Sequence, residues 1–190
     1  MLRRRAFLLE VIMRAVKLGF GILAFGLTSA TAQEAIQPVA PCSGEAFHAF
    51  DFWLGDWDVT TPDGSFAGSN KITREENGCL LLERWTSVNG GTGQSYNFYN
   101  PATETWRQVW VSQGAMIDYE GGLTESGSMK LAGTITYVAS GQQADFTGEW
   151  TLNADGTVTQ HFEQFNAETE TWATWFTGTY TKSEPETPQP

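Results

Sequence analysis

The run Phe50-Asp51-Phe52-Trp53-Leu54-Gly55-Asp56-Trp57-Asp58-Val59 crowds two tryptophans and three aspartates into ten residues. The mixture suits an acid–base site beside an aromatic platform, and it equally suits the first strand of a β-barrel. Successive side chains of an extended chain face opposite ways. Period two therefore sets Trp53, Gly55, Trp57 and Val59 on one face and Phe52, Leu54, Asp56 and Asp58 on the other. The first set is apolar or small throughout, as an inward face should be. Asp56 and Asp58 then point outward into water, where a carboxylate lacks the surroundings that retune its pKa for catalysis. The stretch reads as a strand.

Downstream of it helical periodicity is almost absent, and turn signals recur at close intervals, among them Pro62-Asp63-Gly64, Asn89-Gly90-Gly91 and Asn153-Ala154-Asp155-Gly156. Asn, Asp and Gly tolerate the positive φ of tight hairpins. Between the turns the sequence predicts about ten strands: 52–61, 65–76, 79–88, 94–100, 105–112, 115–121, 128–138, 143–152, 156–165 and 171–181. Hairpin connections leave no room for crossover helices, so the expected fold is all-β, an antiparallel up-and-down barrel whose closure removes exposed edges. A two-sheet β-sandwich is the alternative. Tyr99-Asn100-Pro101-Ala102-Thr103-Glu104-Thr105-Trp106 is echoed by Phe165-Asn166-Ala167-Glu168-Thr169-Glu170-Thr171-Trp172, which predicts one hairpin design used twice.

Upstream, residues 1–32 read as an export signal: Arg14 and Lys17 precede the apolar run Leu18–Leu27, and Ala30-Thr31-Ala32 offers small residues for cleavage. The apolar run is too short to span a bilayer comfortably. Arg4-Arg5-Ala6-Phe7-Leu8-Leu9 resembles a twin-arginine motif. A Sec-type signal starting at Met13, with residues 1–12 an over-extended start, is preferred because its charged segment abuts the apolar run. Residues 33–50 form a lead-in segment, 51–182 the barrel domain and 183–190 a polar, proline-rich tail expected to be disordered.

The leader holds five of the eleven basic residues and one of the 22 acidic ones, which leaves the mature chain at −15. That charge disfavours nucleic acid and anionic membrane surfaces as partners, and nothing after cleavage would insert in a membrane. Cys42 and Cys79 are the chain's two cysteines, and in an exported protein they are expected to form a disulfide. The expected location is periplasmic or secreted.

Gly55-Asp56-Trp57 resembles the G-x-W signature of lipocalins and the wider calycin group. That resemblance implies a Trp57 plug at one barrel end with a basic residue of the last strand packed across it, here Lys182 where an Arg is usual. The run Phe50–Val59, with Gly90-Gly91-Thr92-Gly93-Gln94-Ser95-Tyr96-Asn97-Phe98-Tyr99-Asn100-Pro101 downstream, also resembles secreted bacterial proteins of unassigned function with lipocalin-like or nitrobindin-like barrels. The nitrobindin likeness implies haem, which needs an inward histidine. Parity turns His161 outward unless a bulge intervenes, and His48 lies before the first strand. No cofactor and no metal site is therefore expected.

The remaining inward faces are aromatic with a few uncharged polar groups: Trp106, Gln108 and Trp110; Met129, Leu131, Gly133, Ile135 and Tyr137; Phe146, Gly148, Trp150 and Leu152; Val158, Gln160, Phe162 and Gln164; Trp172, Thr174, Phe176, Gly178 and Tyr180. Gly133, Gly148 and Gly178 on these faces are expected to leave space. Candidate ligand-lining residues are Trp57, Trp85, Asn97, Tyr99, Gln108, Trp110, Trp150 and Gln160. Glu83 is expected to be exposed, with Arg107 its partner if it turns inward. Nucleophile elbows, zincin motifs and phosphate loops are absent from the sequence. The expectation is a non-enzymatic binder of a small apolar or amphipathic molecule. The alternatives are a packed structural or interaction module with outward aromatics such as Trp175, and an enzyme using an inward Glu83.

Overall fold

The computed structural model describes residues 40–184. The expected signal segment, the first part of the lead-in and the end of the tail lie outside the described residues. Ten strands follow one another as β1 (Gly55–Thr60), β2 (Phe66–Glu75), β3 (Leu80–Ser87), β4 (Thr92–Asn100) and β5 (Thr105–Ser112), then β6 (Ala115–Leu123), β7 (Met129–Tyr137), β8 (Gln143–Leu152), β9 (Val158–Asn166) and β10 (Thr171–Lys182). Each pairs antiparallel with its sequence neighbours, and β1 pairs with β10 to close the barrel. No sandwich forms. Alternation carries the burial: on β1, Trp57 and Val59 are buried while Asp56 and Asp58 are exposed. Asp56 meets Lys71 at 2.9 Å on the outer wall, and Asp58 accepts a hydrogen bond from Ser183.

Asp51–Trp53 form a 3-10 turn, so β1 begins at Gly55 and not at residue 52. That turn and a preceding one (Glu45–His48) lay the lead-in segment across one end of the barrel. There Phe50 stacks on Trp53 with ring centroids 5.0 Å apart, and meets Trp150 and Trp106 edge-on at 5.3 and 5.7 Å. Indole N–H groups tie the cap down: Trp57 donates to the Trp53 carbonyl and Trp106 to the Ala46 carbonyl. The Cys42–Cys79 disulfide fastens the segment to the β2–β3 turn, and Arg74 bridges Asp51 and the Gly78 carbonyl.

Lys182, the last residue of β10, places its Nζ 3.6 Å from the centre of the Trp57 ring and donates to the Leu54 carbonyl. Gly55 makes this contact: a Cβ there would collide with the lysine side chain. Burial pulls the ammonium below the usual lysine value.

The repeated Thr-Glu-Thr-Trp segments adopt the same hairpin. Glu104 and Glu170 take φ of 56° and 54°, and Asn100 and Asn166 accept from the backbone N–H two residues on. One hairpin closes the capped end and the other stands at the opposite rim, so the repeat is a reused turn.

Three inward assignments are corrected. The β9–β10 ladder shifts register between Thr174 and Phe176. The extra residue turns Trp172 outward onto Phe165 and leaves Thr174 exposed, while Trp175 swings in against Phe146 at 5.6 Å. Leu152, the last residue of β8, stands at the capped end beside the 153–157 turn and is half exposed. The inward glycines are also not empty space: a Cβ on Gly148 would stand 2.7 Å from Phe162, and one on Gly178 would stand 2.7 Å from Phe176. Aromatic rings fill what these two vacate, and Gly133 lies against the β6 backbone, where a Cβ would collide with the Asp118 carbonyl oxygen.

The cystine joins residues 37 apart in sequence. Cys42→Ala with Cys79→Ala should lower the unfolding free energy by about 3–4 kcal/mol, read by denaturant titration.

Candidate functional site

At the end away from the cap the barrel opens into a cavity of about 670 Å³. The hairpins at Gly90–Gly91 and Gln113–Gly114 form part of its rim, and Trp85, Trp110, Phe162, Trp175 and Phe176 form most of its wall. Two tryptophans lie flat against the sheet because glycines face them: Trp110 covers Gly93, and a Cβ on Gly68 would meet the Trp85 ring at 2.7 Å. Trp175 stays half exposed at the rim, its indole N–H donating to the Tyr137 hydroxyl at 3.2 Å.

The cavity floor is polar. Glu83 points inward and is 4 % exposed. Its two oxygens accept from Asn70 Nδ2 at 2.7 Å and from Ser95 Oγ. Behind Ser95 a chain of donors runs one way: Tyr119 Oη donates to Gln108 Oε1, Gln108 Nε2 to Asn97 Oδ1, and Asn97 Nδ2 to Ser95 Oγ at 2.8 Å. On the other side Asn70 Nδ2 reaches Tyr180 Oη at 3.4 Å, and Tyr180 donates to Gln160 Oε1 at 2.6 Å. Hydrogen-bond polarity on the Ser95 side thus ends on the carboxylate, as an anion requires. Asn70 Oδ1 is buried with no partner among the described residues.

Burial raises the Glu83 carboxyl from the ordinary 4.5 to about 7, against the opposing pull of Ser95 and Asn70. Burial, and then the Glu83 charge, push the Tyr119 and Tyr180 phenols well above their ordinary value, so both stay neutral donors.

Glu83 is therefore inward, contrary to the sequence expectation, and Arg107 is not its partner: that guanidinium lies on the outer wall, 2.6 Å from Asp118. Hydrogen bonds from neutral groups, not an ion pair, make the buried carboxyl tolerable.

Of the sequence candidates, Trp85, Gln108, Trp110 and Gln160 line the cavity. Asn97 sits within the floor network. Trp57, Tyr99 and Trp150 belong to the closed end: Trp150 packs on Phe50, Tyr99 lies 5.1 Å from Phe47, and Trp57 is under Lys182. Trp175, expected outside as part of a protein-binding patch, joins the wall instead. Asn70, Ser95 and Tyr119 were not singled out from sequence, though each falls on an inward parity of its strand.

The lining does not fit haem. His161 sits on the outer wall with Nδ1 2.8 Å from Thr177 Oγ1, and His48 pairs with Asp51 beside the cap. The lining contains no histidine, cysteine or methionine, and its three tyrosine hydroxyls donate to Gln108, Gln164 and Gln160. Among the described residues no group of three or more His, Cys, Asp or Glu side chains is placed to hold a metal ion. No protein-family model and no curated protein matches the chain.

A carboxyl whose pKa is raised by folding binds more protons folded than unfolded at intermediate pH. Its stabilising contribution is complete below the unfolded value of 4.5 and is lost as pH rises through about 7. The ligand-free protein should therefore lose about 2 kcal/mol from this group between pH 5.5 and 8.5. Glu83→Gln should remove that part of the slope, measured by denaturant unfolding across the range.

Proposed function

We propose that this protein is an exported, lipocalin-like carrier that holds a small amphipathic molecule in the barrel cavity without transforming it. The observation that carries the reading is the cavity itself. It is open at one end, has the volume of drug-sized ligand sites, and combines an aromatic wall with a few polar groups at its floor. Affinity then comes from burying the apolar body against Trp85, Trp110, Phe162 and Phe176, and orientation from hydrogen bonds at the floor. Gln160 Nε2, which makes no hydrogen bond among the described residues, is one such donor.

The disulfide places the protein in a non-reducing compartment. Among the described residues no helix is long and apolar enough to cross a membrane. The finer reading is periplasmic or secreted, with cleavage after Ala32. Intact-mass measurement of protein from the host's exported fraction should give a mature chain beginning at Gln33.

Glu83 favours a second reading. A carboxyl near neutrality at a cavity floor has the proton affinity of a general base. Catalysis would also need an electrophile beside the substrate, and the Tyr119 and Tyr180 hydroxyls are already committed to Gln108 and Gln160. Binding therefore stands ahead of turnover.

The neutral fluorescent probe N-phenyl-1-naphthylamine should enter the cavity, brighten, and quench tryptophan emission with saturable 1:1 stoichiometry. Ala115→Trp, which narrows the rim, should weaken uptake at least tenfold. Failure of the native protein to take up the probe, together with the absence of any co-purifying small molecule by mass spectrometry, would rule out the carrier reading.

A further inference from the structure

We propose that the ligand is a lipophilic monocation, an amine on an apolar body, whose ammonium group meets Glu83 at the cavity floor. This rests on the carrier reading and names the class of molecule carried.

The charge distribution is the first ground. Glu83 is the one ionisable acid lining the cavity, and no lysine, arginine or histidine lines it. The other walls of the barrel settle their charges outside, in Lys71–Asp56, Arg107–Asp118 and Lys130–Glu149. An inward carboxylate supported by neutral donors alone is an uncompensated charge in a water-poor site, and only a cation turns that penalty into attraction. A ligand carboxylate would be repelled. A hydroxyl would gain a hydrogen bond and no charge pairing.

The surroundings of the carboxyl make the second ground. Trp85 is the next inward residue on the same strand, and Trp110, Tyr119 and Tyr180 present rings to the same space. Aromatic faces attract an ammonium group by their quadrupoles, most strongly where water is excluded. Each Glu83 oxygen accepts one hydrogen bond, from Asn70 and from Ser95, which leaves the carboxylate with acceptor capacity to spare. An ammonium brings three donors. Above it, Phe162, Trp175 and Phe176 offer an apolar sleeve for the rest of the molecule. The mature chain's net charge of −15 adds a long-range field that draws cations toward the protein.

Proton linkage follows from the same geometry. The titratable groups facing Glu83 are Tyr119 from β6 and Tyr180 from β10, both held neutral. The strands packed beside it present Asn70 from β2, and Ser95 and Asn97 from β4, none of which titrates. Lys71 and Arg84 of β2 and β3 lie on the outer face. Pairing with an ammonium therefore requires Glu83 itself to release its proton, which burial holds to about pH 7. Amine affinity should fall about tenfold for each pH unit below that point, while neutral ligands should not respond.

Three probes of one shape test this: 4-phenylbutylamine, 4-phenylbutan-1-ol and 4-phenylbutyrate, titrated calorimetrically and by tryptophan quenching. At pH 8 the amine should bind at least tenfold tighter than the alcohol, with the carboxylate weakest. The amine's advantage should vanish by pH 5 in the native protein, a measurement that needs no variant. Glu83→Gln, its fold checked by circular dichroism, should abolish the amine's advantage and bring amine and alcohol to the same affinity. Equal binding of amine and alcohol at pH 8, or an amine preference that survives in Glu83→Gln, would overturn the proposal. If N-phenyl-1-naphthylamine is still taken up in that event, the carrier reading stands without the amine. If it is not, both fall.

Discussion

The barrel exists because β1 closes on β10, and that seam is its shortest ladder: four residue pairs, from Trp57 opposite Lys182 to Thr60 opposite Thr179. A backbone hydrogen bond contributes about 1 kcal/mol net, so a ladder of this length is modest. Burying Trp57 and setting a lysine over its ring adds a contribution of similar size. The plug therefore secures the seam as much as the backbone does. Every interior feature depends on it, because an open ten-stranded sheet would expose Glu83 and its donors to water and leave the carboxyl ordinary.

Closure also divides the interior along the axis. The capped half is filled by rings, with Phe50, Trp53 and Trp150 fully buried. The polar network from Tyr119 through Glu83 to Gln160 crosses the middle, and the open half above it holds the cavity. Such a network is tolerable only when its members satisfy one another. Here the single direction of donation from Tyr119 to Glu83 does so, with Asn70 Oδ1 the fully buried exception and Gln160 Nε2 left unpaired among the described residues.

Much of the fold was legible because the strands obey period two and the hairpins carry Gly, Asn or Asp at their turns. Trp57, Gln108 and Trp110 were placed inward by parity, and Asp56 and Asp58 outward. Parity fails where a residue is inserted. The shift between Thr174 and Phe176 exchanges the faces of Trp172 and Trp175, and nothing in Trp172-Ala173-Thr174-Trp175-Phe176 announces the bulge. Glu83 was missed for a different reason. Leu80-Leu81-Leu82-Glu83-Arg84-Trp85 has no clean alternation to decide its face, and the neutral donors that stabilise the carboxyl come from β2 and β4. Partners distant in sequence are invisible to a strand-by-strand reading. The inward glycines misled in the same way, since Gly148 and Gly178 are covered by the rings of Phe162 and Phe176 and Gly133 lies against the backbone of β6.

The polar belt at the barrel's waist has a consequence for how such a protein diverges. Cap, disulfide and plug lie on one side of it, and the rim hairpins with Trp85, Trp110 and Trp175 on the other. Substitutions above the belt reshape the cavity while the anchors below keep the chain folded. Descendants of this chain are free to vary the rim alone, and they would still be recognisable by their lower half.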